Sequence, residues 1–261
     1  MSTLNVQPDL QDVINLVLKT KPLIMDAQSS HDVTVKGRAD FVTRTDTSVQ
    51  QFLKEHLAAA WPHIQFLGEE NGQNHADFSK PVWILDPIDG TTNLIYNYMH
   101  SAVSLGYCEN HEVTMGVIYN PFREELFYAQ KGRGAYLNGQ RIHVSSKSAL
   151  NDSLIAVGTT PYDKTMAPVN FKTFQRIFEN CLDIRRSGSA ALDIAYTACG
   201  RQDGYFERDL KPWDFSAGAV ILSEAGGTVT GFDGPIDFSK NQNIIASNGL
   251  IHDELTKAIL F

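Results

Sequence analysis

Eleven consecutive residues, Trp83-Ile84-Leu85-Asp86-Pro87-Ile88-Asp89-Gly90-Thr91-Thr92-Asn93, hold the densest potential for chemistry in the chain. An apolar run leads into two carboxylates, and Gly-Thr-Thr then opens a predicted helix. Pro87 and Gly90 permit a tight turn that can aim Asp86, Asp89 and the Ile88 carbonyl into one space. Hard oxygen ligands of this kind suit magnesium. The backbone N–H groups of Gly90 and Thr91, at a helix start, would face a phosphate. Taken alone, the segment reads equally well as an N-capping turn with Asp89 as the cap.

Two further acidic corners share this layout. Gly68-Glu69-Glu70 ends a short apolar run, and Lys211-Pro212-Trp213-Asp214 precedes an apolar helix that stops at Gly226-Gly227. Singly, the first reads as a solvated turn and the second as a helix cap. Together they place carboxylates at strand ends and helix starts with no basic partner beside them. Buried like charges repel strongly unless divalent cations compensate.

The elements that must carry these residues follow from apolar periodicity. Helical spacing covers residues 9–25, and Thr45 or Asp46 is expected to cap a second helix bearing Val49, Phe52, Leu53 and Leu57. Short strands are expected at 41–43, 64–67 and 81–85, then an antiparallel set at 102–107, 113–119 and 125–129. Lys131-Gly132-Arg133-Gly134 reads as a hairpin turn, not a phosphate loop. Beyond about residue 144, strands at 154–157, 182–185, 204–206 and 243–246 alternate with helices at 169–179, 189–199 and 214–225 and from His252. Layers of helix and sheet in two lobes fit this order.

The set Gly68-Glu69-Glu70, Asp86 through Asn93, and Trp213-Asp214 followed by Glu224-Ala225-Gly226-Gly227 closely resembles the inositol monophosphatase family. The resemblance runs from about Lys36 to Asn248; Arg185-Arg186-Ser187-Gly188-Ser189-Ala190-Ala191 and Glu207 through Asp214 look most like bacterial members. It implies an α+β fold, a layered αβαβα sandwich. One domain over residues 1–261 is expected, with a metal-site lobe to about 143 and a substrate lobe from about 144. It implies two to three Mg2+ ions, inhibition by lithium and a homodimer. Glu69, Asp86 and the Ile88 carbonyl would hold the first metal, and Asp86, Asp89 and Asp214 the second. Glu69 would also help hold a looser third. Thr91 and Asp46 would position and deprotonate the attacking water. Gly90 and Thr91 would receive the phosphate, while Gly188, Ser189, Ala190 and Glu207 would line the polyol site, beside Asp214. Lys36 matches a lysine near the metals. Ser189 and Lys211 depart from animal members, which carry threonine and histidine there.

The implied reaction is hydrolysis of inositol monophosphate or a similar small polyol phosphate. Relatives that cleave fructose 1,6-bisphosphate or adenosine 3′,5′-bisphosphate are the nearest alternatives, and a non-catalytic regulatory protein on the same fold is another. A net charge of −8 argues against duplex nucleic acid as a partner. For an acidic protein with an acidic substrate, bound cations are what reverse the local field. No histidine pair has ligand spacing, so zinc is not expected. Cys108, Cys181 and Cys199 read as buried or partly buried thiols, and Tyr96 and Tyr98 as core or rim aromatics. With no leader or spanning run evident, a cytoplasmic protein without membrane attachment is expected.

Overall fold

The computed structural model describes residues 7–26, 32–37, 40–70 and 75–261; residues 1–6, in the region read for a leader, lie outside them. The first helix, α1 (Leu10–Leu18), turns Val13, Ile14 and Val17 inward, and Asp9 caps it by accepting from the Gln11 N–H at 2.8 Å. The single helix expected over 9–25 is in fact two. The ring of Pro22 would clash with the Leu18 carbonyl, so the chain breaks at Lys19 and Thr20 and resumes as α2 (Lys21–Ile24).

A hairpin of β1 (Val33–Gly37) and β2 (Asp40–Thr43) leads into α3 (Arg44–Ala60). The cap expected at Thr45 or Asp46 is instead Thr43. Asp46 lies one turn inside, and its Oδ2 accepts from the Thr43 N–H at 2.8 Å and the Thr43 hydroxyl at 2.5 Å. Threonine followed by an acid three residues on closes a capping box, which satisfies donors at both ends of the first turn.

Seven strands then form one sheet in sequence order. They are β3 (Gln65–Gly68), β4 (Val82–Asp89), and, after the short helix α4 (Thr91–Ile95), β5 (Ala102–Glu109), β6 (Glu112–Asn120), β7 (Glu125–Gln130), β8 (Ala135–Leu137) and β9 (Gln140–Ile142). β3 and β4 run parallel and every later neighbour is antiparallel. Residues 131–134 make the turn between β7 and β8, as read from the sequence.

The remainder alternates as expected, save for β13, a strand the sequence did not announce: β10 (Leu154–Val157), α5 (Ala167–Phe178), β11 (Asp183–Arg185), α6 (Ala190–Ala198), β12 (Gly204–Leu210), α7 (Pro212–Glu224), β13 (Thr228–Gly231), β14 (Gln242–Ser247) and α8 (His252–Leu260). Its strands form a five-stranded sheet of order β11-β10-β12-β14-β13.

Core contacts stack these elements into five layers. α1 and α3 cover one face of the large sheet through Val13, Val17, Val49 and Leu53 against Trp83, Leu105 and Val117. α6 and α7 lie between the sheets, touching Ile118 and Phe127 on one side and Tyr205 and Ile244 on the other. α5 and α8 close the far face with Phe174, Ile177 and Leu255. The fold is an α+β sandwich of αβαβα layers.

α7 is apolar almost all round, as a helix buried on both sides must be. Its close approach to the large sheet needs bare backbone there: a Cβ on Gly116 would lie 2.5 Å from the Ala217 carbonyl oxygen. At its C-terminal end Glu224 clamps the β7–β8 turn, Oε1 accepting from the Gly132 N–H at 2.8 Å and Oε2 from the Gly134 N–H at 2.7 Å. Glu224→Ala should therefore lower stability by about 1–3 kcal/mol. Thermal unfolding is the check, and an unchanged midpoint would show that the clamp contributes nothing.

Candidate active site

In a regular strand Asp86 and Asp89, three residues apart, would point to opposite faces. They do not, because β4 carries a bulge between them: Asp86 pairs with Ser104, and Asp89 with Ala102. The extra residue falls at Pro87 and Ile88, where the proline's missing N–H needs no ladder partner. Both carboxylates thereby reach one cavity of about 300 Å³, with Ile88 between them. The parallel neighbour β3 ends at Gly68, opposite Leu85, which sets Glu69 beside Asp86. Asp214 enters the same cavity from the third position of α7.

The three aspartates are anchored. Ile88 N–H donates to Asp86 Oδ1 at 2.9 Å. The helix cap is Lys211, not Asp214; the Lys211 N–H donates to Asp214 Oδ2 at 2.7 Å, so Asp214 supports the helix start from its third position as well as lining the cavity. Asp89 does not cap α4, whose N-cap is Gly90 at φ +90°. Its Oδ2 instead accepts from the Ser189 hydroxyl at 2.5 Å and the Ala191 N–H at 2.7 Å, which ties the end of β4 to the start of α6.

Burial raises the proton affinity of all four acids. It lifts Glu69 to about 8, with the neighbouring charge of Glu70 adding to the effect. Asp86 and Asp214 are held well above the usual carboxylate range, first by burial and then by the other acids around them. Asp89 reaches about 6, with the Ser189 and Ala191 bonds opposing its burial. Lys36 is paired with Glu70 at 2.7 Å and lowers the proton affinity of Glu69 by its charge.

The charges of Glu69, Asp89 and Asp214 add to the burial that raises Asp86. Carboxylates gathered in this way call for a proton or a cation between them, and an all-oxygen set with a backbone carbonyl suits magnesium. The residues present therefore fit the metal, although among the described residues no three such groups already close into a metal-binding cluster.

Asp46 and Thr91 meet across 45 residues. Thr91 lines the cavity, and its hydroxyl lies 2.9 Å from Asp46 Oδ1 and 3.1 Å from the Ile88 carbonyl. Asp46 is fully buried behind it, fixed through its other oxygen by Thr43. Burial raises the Asp46 proton affinity, opposed by the Thr43 and Thr91 bonds.

Across the cavity stand Gly188, Ser189, Ala190 and Glu207, with Gly90 on the near side. Glu207 is aimed by a second bulge, in β12, where Asp209 adopts φ +54°. Its carboxylate accepts from the Thr160 N–H at 2.9 Å and the Tyr205 hydroxyl at 2.6 Å. Gly158 makes room for it: a Cβ there would lie 1.8 Å from Glu207 Cδ. The Ser189 hydroxyl is already engaged with Asp89, so this residue acts on the cavity through that acid. Lys211 does not line the cavity; its ammonium pairs with Asp209 and lies 5.5 Å from the ring centre of Tyr162, which does. Tyr96 stands at the rim.

Asp193, Arg186 and Gly158 line the cavity without having been singled out as site residues. Asp193 accepts from the Ser187 hydroxyl at 2.6 Å, and burial lifts it to about 8. A charged residue in the otherwise apolar run of α6 was the available signal. Gly158, directly after a strand, offered only a faint one.

Known proteins are similar to this chain over most of its length. Inositol-1-monophosphatase of Synechocystis is 43% identical over 227 residues, 86% of this chain and 78% of that protein. Nus factor SuhB of Escherichia coli is 37% identical over 236 residues, 87% and 88% of the two chains. The crystal structure of extragenic suppressor protein SuhB from Bartonella henselae superposes with a TM-score of 0.89 at 34% identity, covering 96% of this chain and 97% of that one. The family model for the inositol monophosphatases matches residues 5–260. With the match running nearly end to end and the fold shared, this chain belongs to the inositol monophosphatase family.

Proposed function

We propose that this chain is a magnesium-dependent phosphomonoesterase that converts inositol monophosphate, or a similar small polyol phosphate, to the free polyol and phosphate. The observation that carries the reading is the Asp46–Thr91 pair standing beside four carboxylates in one cavity. Glu69, Asp86, Asp89, Asp214 and the Ile88 carbonyl would hold magnesium, which when bound supplies positive charge to the phosphate and acidifies water.

The chain's own groups do the rest. The Thr91 hydroxyl donates its hydrogen bond to Asp46, leaving only lone pairs on its oxygen to hold the attacking water by one hydrogen. As the P–O bond to the polyol breaks, that oxygen takes the water's proton while its own passes to Asp46; the leaving polyol oxygen is protonated from solvent, to which Asp46 then returns the proton. Gly90 and Thr91 face the phosphate, while Glu207 and the Gly188–Ala190 wall orient the polyol. Residence in the cytoplasm, expected from the sequence, and a homodimer, implied by the family resemblance, belong to the same reading.

Phosphate release from inositol 1-phosphate, fructose 1,6-bisphosphate and adenosine 3′,5′-bisphosphate tests this directly. Magnesium should support turnover, fastest on inositol 1-phosphate. Calcium should fail, because its larger and looser coordination misplaces the reacting groups. Faster turnover of either bisphosphate would reassign the substrate. The 37% identity to a protein named Nus factor SuhB supports one other reading, a regulatory protein on this fold. No turnover of any ester with magnesium would favour that one.

A further inference from the structure

Behind the cavity lies Asn93, on α4 and only 8% exposed. Its side-chain nitrogen carries two hydrogens and makes two bonds, to the His100 carbonyl at 2.7 Å and the Ser187 carbonyl at 3.0 Å. The second bond crosses 94 residues of sequence and joins the two sides of the cavity. Glycines in left-handed backbone close on the amide from either side, Gly90 at φ +90° and Gly188 at φ +92°. A Cβ on Gly188 would lie 3.1 Å from Asn93 Nδ2 and 3.2 Å from Oδ1. A Cβ on Gly90 would lie 3.1 Å from the His100 carbonyl oxygen and 3.2 Å from that of Gly188. The loop before α6 is held from its other side too, by the Ser187 hydroxyl bonding Asp193.

We propose that Asn93 is a positioning residue that fixes the span between the turn bearing Gly90 and Thr91 and the loop bearing Gly188 to Ala190. It thereby selects esters whose hydroxyl groups stand at a set distance from the phosphate. The inference rests on the function proposed above. Asn93 is not among the residues lining the cavity, so it acts only through the two walls. An ester held by its phosphate alone depends on the first wall; a phosphorylated polyol depends on both. Misplacement by an ångström is enough to lose orders of magnitude in rate.

Asn93→Asp preserves shape but sets an oxygen against two carbonyls, and Asn93→Ala removes the bridge. Both variants should be assayed with magnesium on inositol 1-phosphate and 4-nitrophenyl phosphate, with amide hydrogen exchange followed over residues 186–191. The expected result is a fall in kcat/KM for the polyol ester at least ~10-fold greater than for the aryl ester, carried mainly by KM. Exchange over 186–191 should quicken while β4 is unaffected. Equal losses on the two esters, or no loss on either, would overturn the proposal. So would the absence of a cooperative unfolding transition in both variants, since Asn93 would then serve the fold. If the wild-type protein hydrolyses no ester, the proposed function fails by itself; the exchange measurement still decides whether Asn93 pins the loop, and unchanged exchange sinks that idea.

Discussion

Asp46→Asn and Thr91→Ala should each lower kcat on the order of 10²-fold or more, and the double variant should be scarcely slower than the weaker single. A threonine hydroxyl is a poor base alone. Here its proton has a fixed destination, because Asp46 Oδ2 is fastened by Thr43 and Oδ1 is left to Thr91. Removing either partner disables the other, so the losses do not add. Asp46→Asn also weakens the capping box of α3, at about 0.5–2 kcal/mol of stability. Thermal unfolding separates that effect from catalysis, since Thr91→Ala leaves the box intact. Magnesium affinity should change little in either variant. Losses that multiply in the double variant would mean that the two residues act independently.

Asp89→Asn should reduce kcat by at least ~10²-fold, as expected when a charge stabiliser leaves a water-poor site. The structure suggests that the fold will tolerate it. The amide oxygen of asparagine can accept from Ser189 and Ala191 as Asp89 Oδ2 does, so the link between β4 and α6 survives. What disappears is the negative charge. Steady-state turnover against magnesium concentration is the measurement, with an unchanged melting temperature as its companion. Near wild-type turnover at ordinary magnesium would remove Asp89 from the metal set.

The chemistry-bearing turn was legible because its residues are local. Asp86 through Asn93 carry carboxylates, a proline and a glycine in one unbroken run, although the strand expected to end at residue 85 continues to Asp89 and the chain turns only at Gly90. The bulge that gives Asp86 and Asp89 a common direction was not legible, since it is defined by the pairing with β5. The same limit hid the partner of Asp89. A helix cap was a fair reading of the sequence, but the donors it serves lie about 100 residues on. Local patterns also misled in small ways. Apolar spacing carried the first helix through Pro22, and two plausible capping residues, Thr45 and Asp46, drew attention from Thr43. Layers of helix and sheet followed from the alternation of elements and their αβαβα order only from the family resemblance, whereas β1, β8, β9 and β13, of three to five residues each, are too short to show a period.

The position of α7 has a consequence for synthesis on the ribosome. The inner face of the large sheet is complete in sequence once β9 has been made, but α7, which covers it together with α6, begins 70 residues later. At 5–20 residues per second, that apolar face is not fully covered for roughly 4–14 s. The nascent chain then presents Ile118, Phe127 and the bare backbone of Gly116 to its surroundings. This interval is when aggregation competes with folding, and a chaperone holding the chain between β9 and α7 would raise the yield of native protein more than one acting after release.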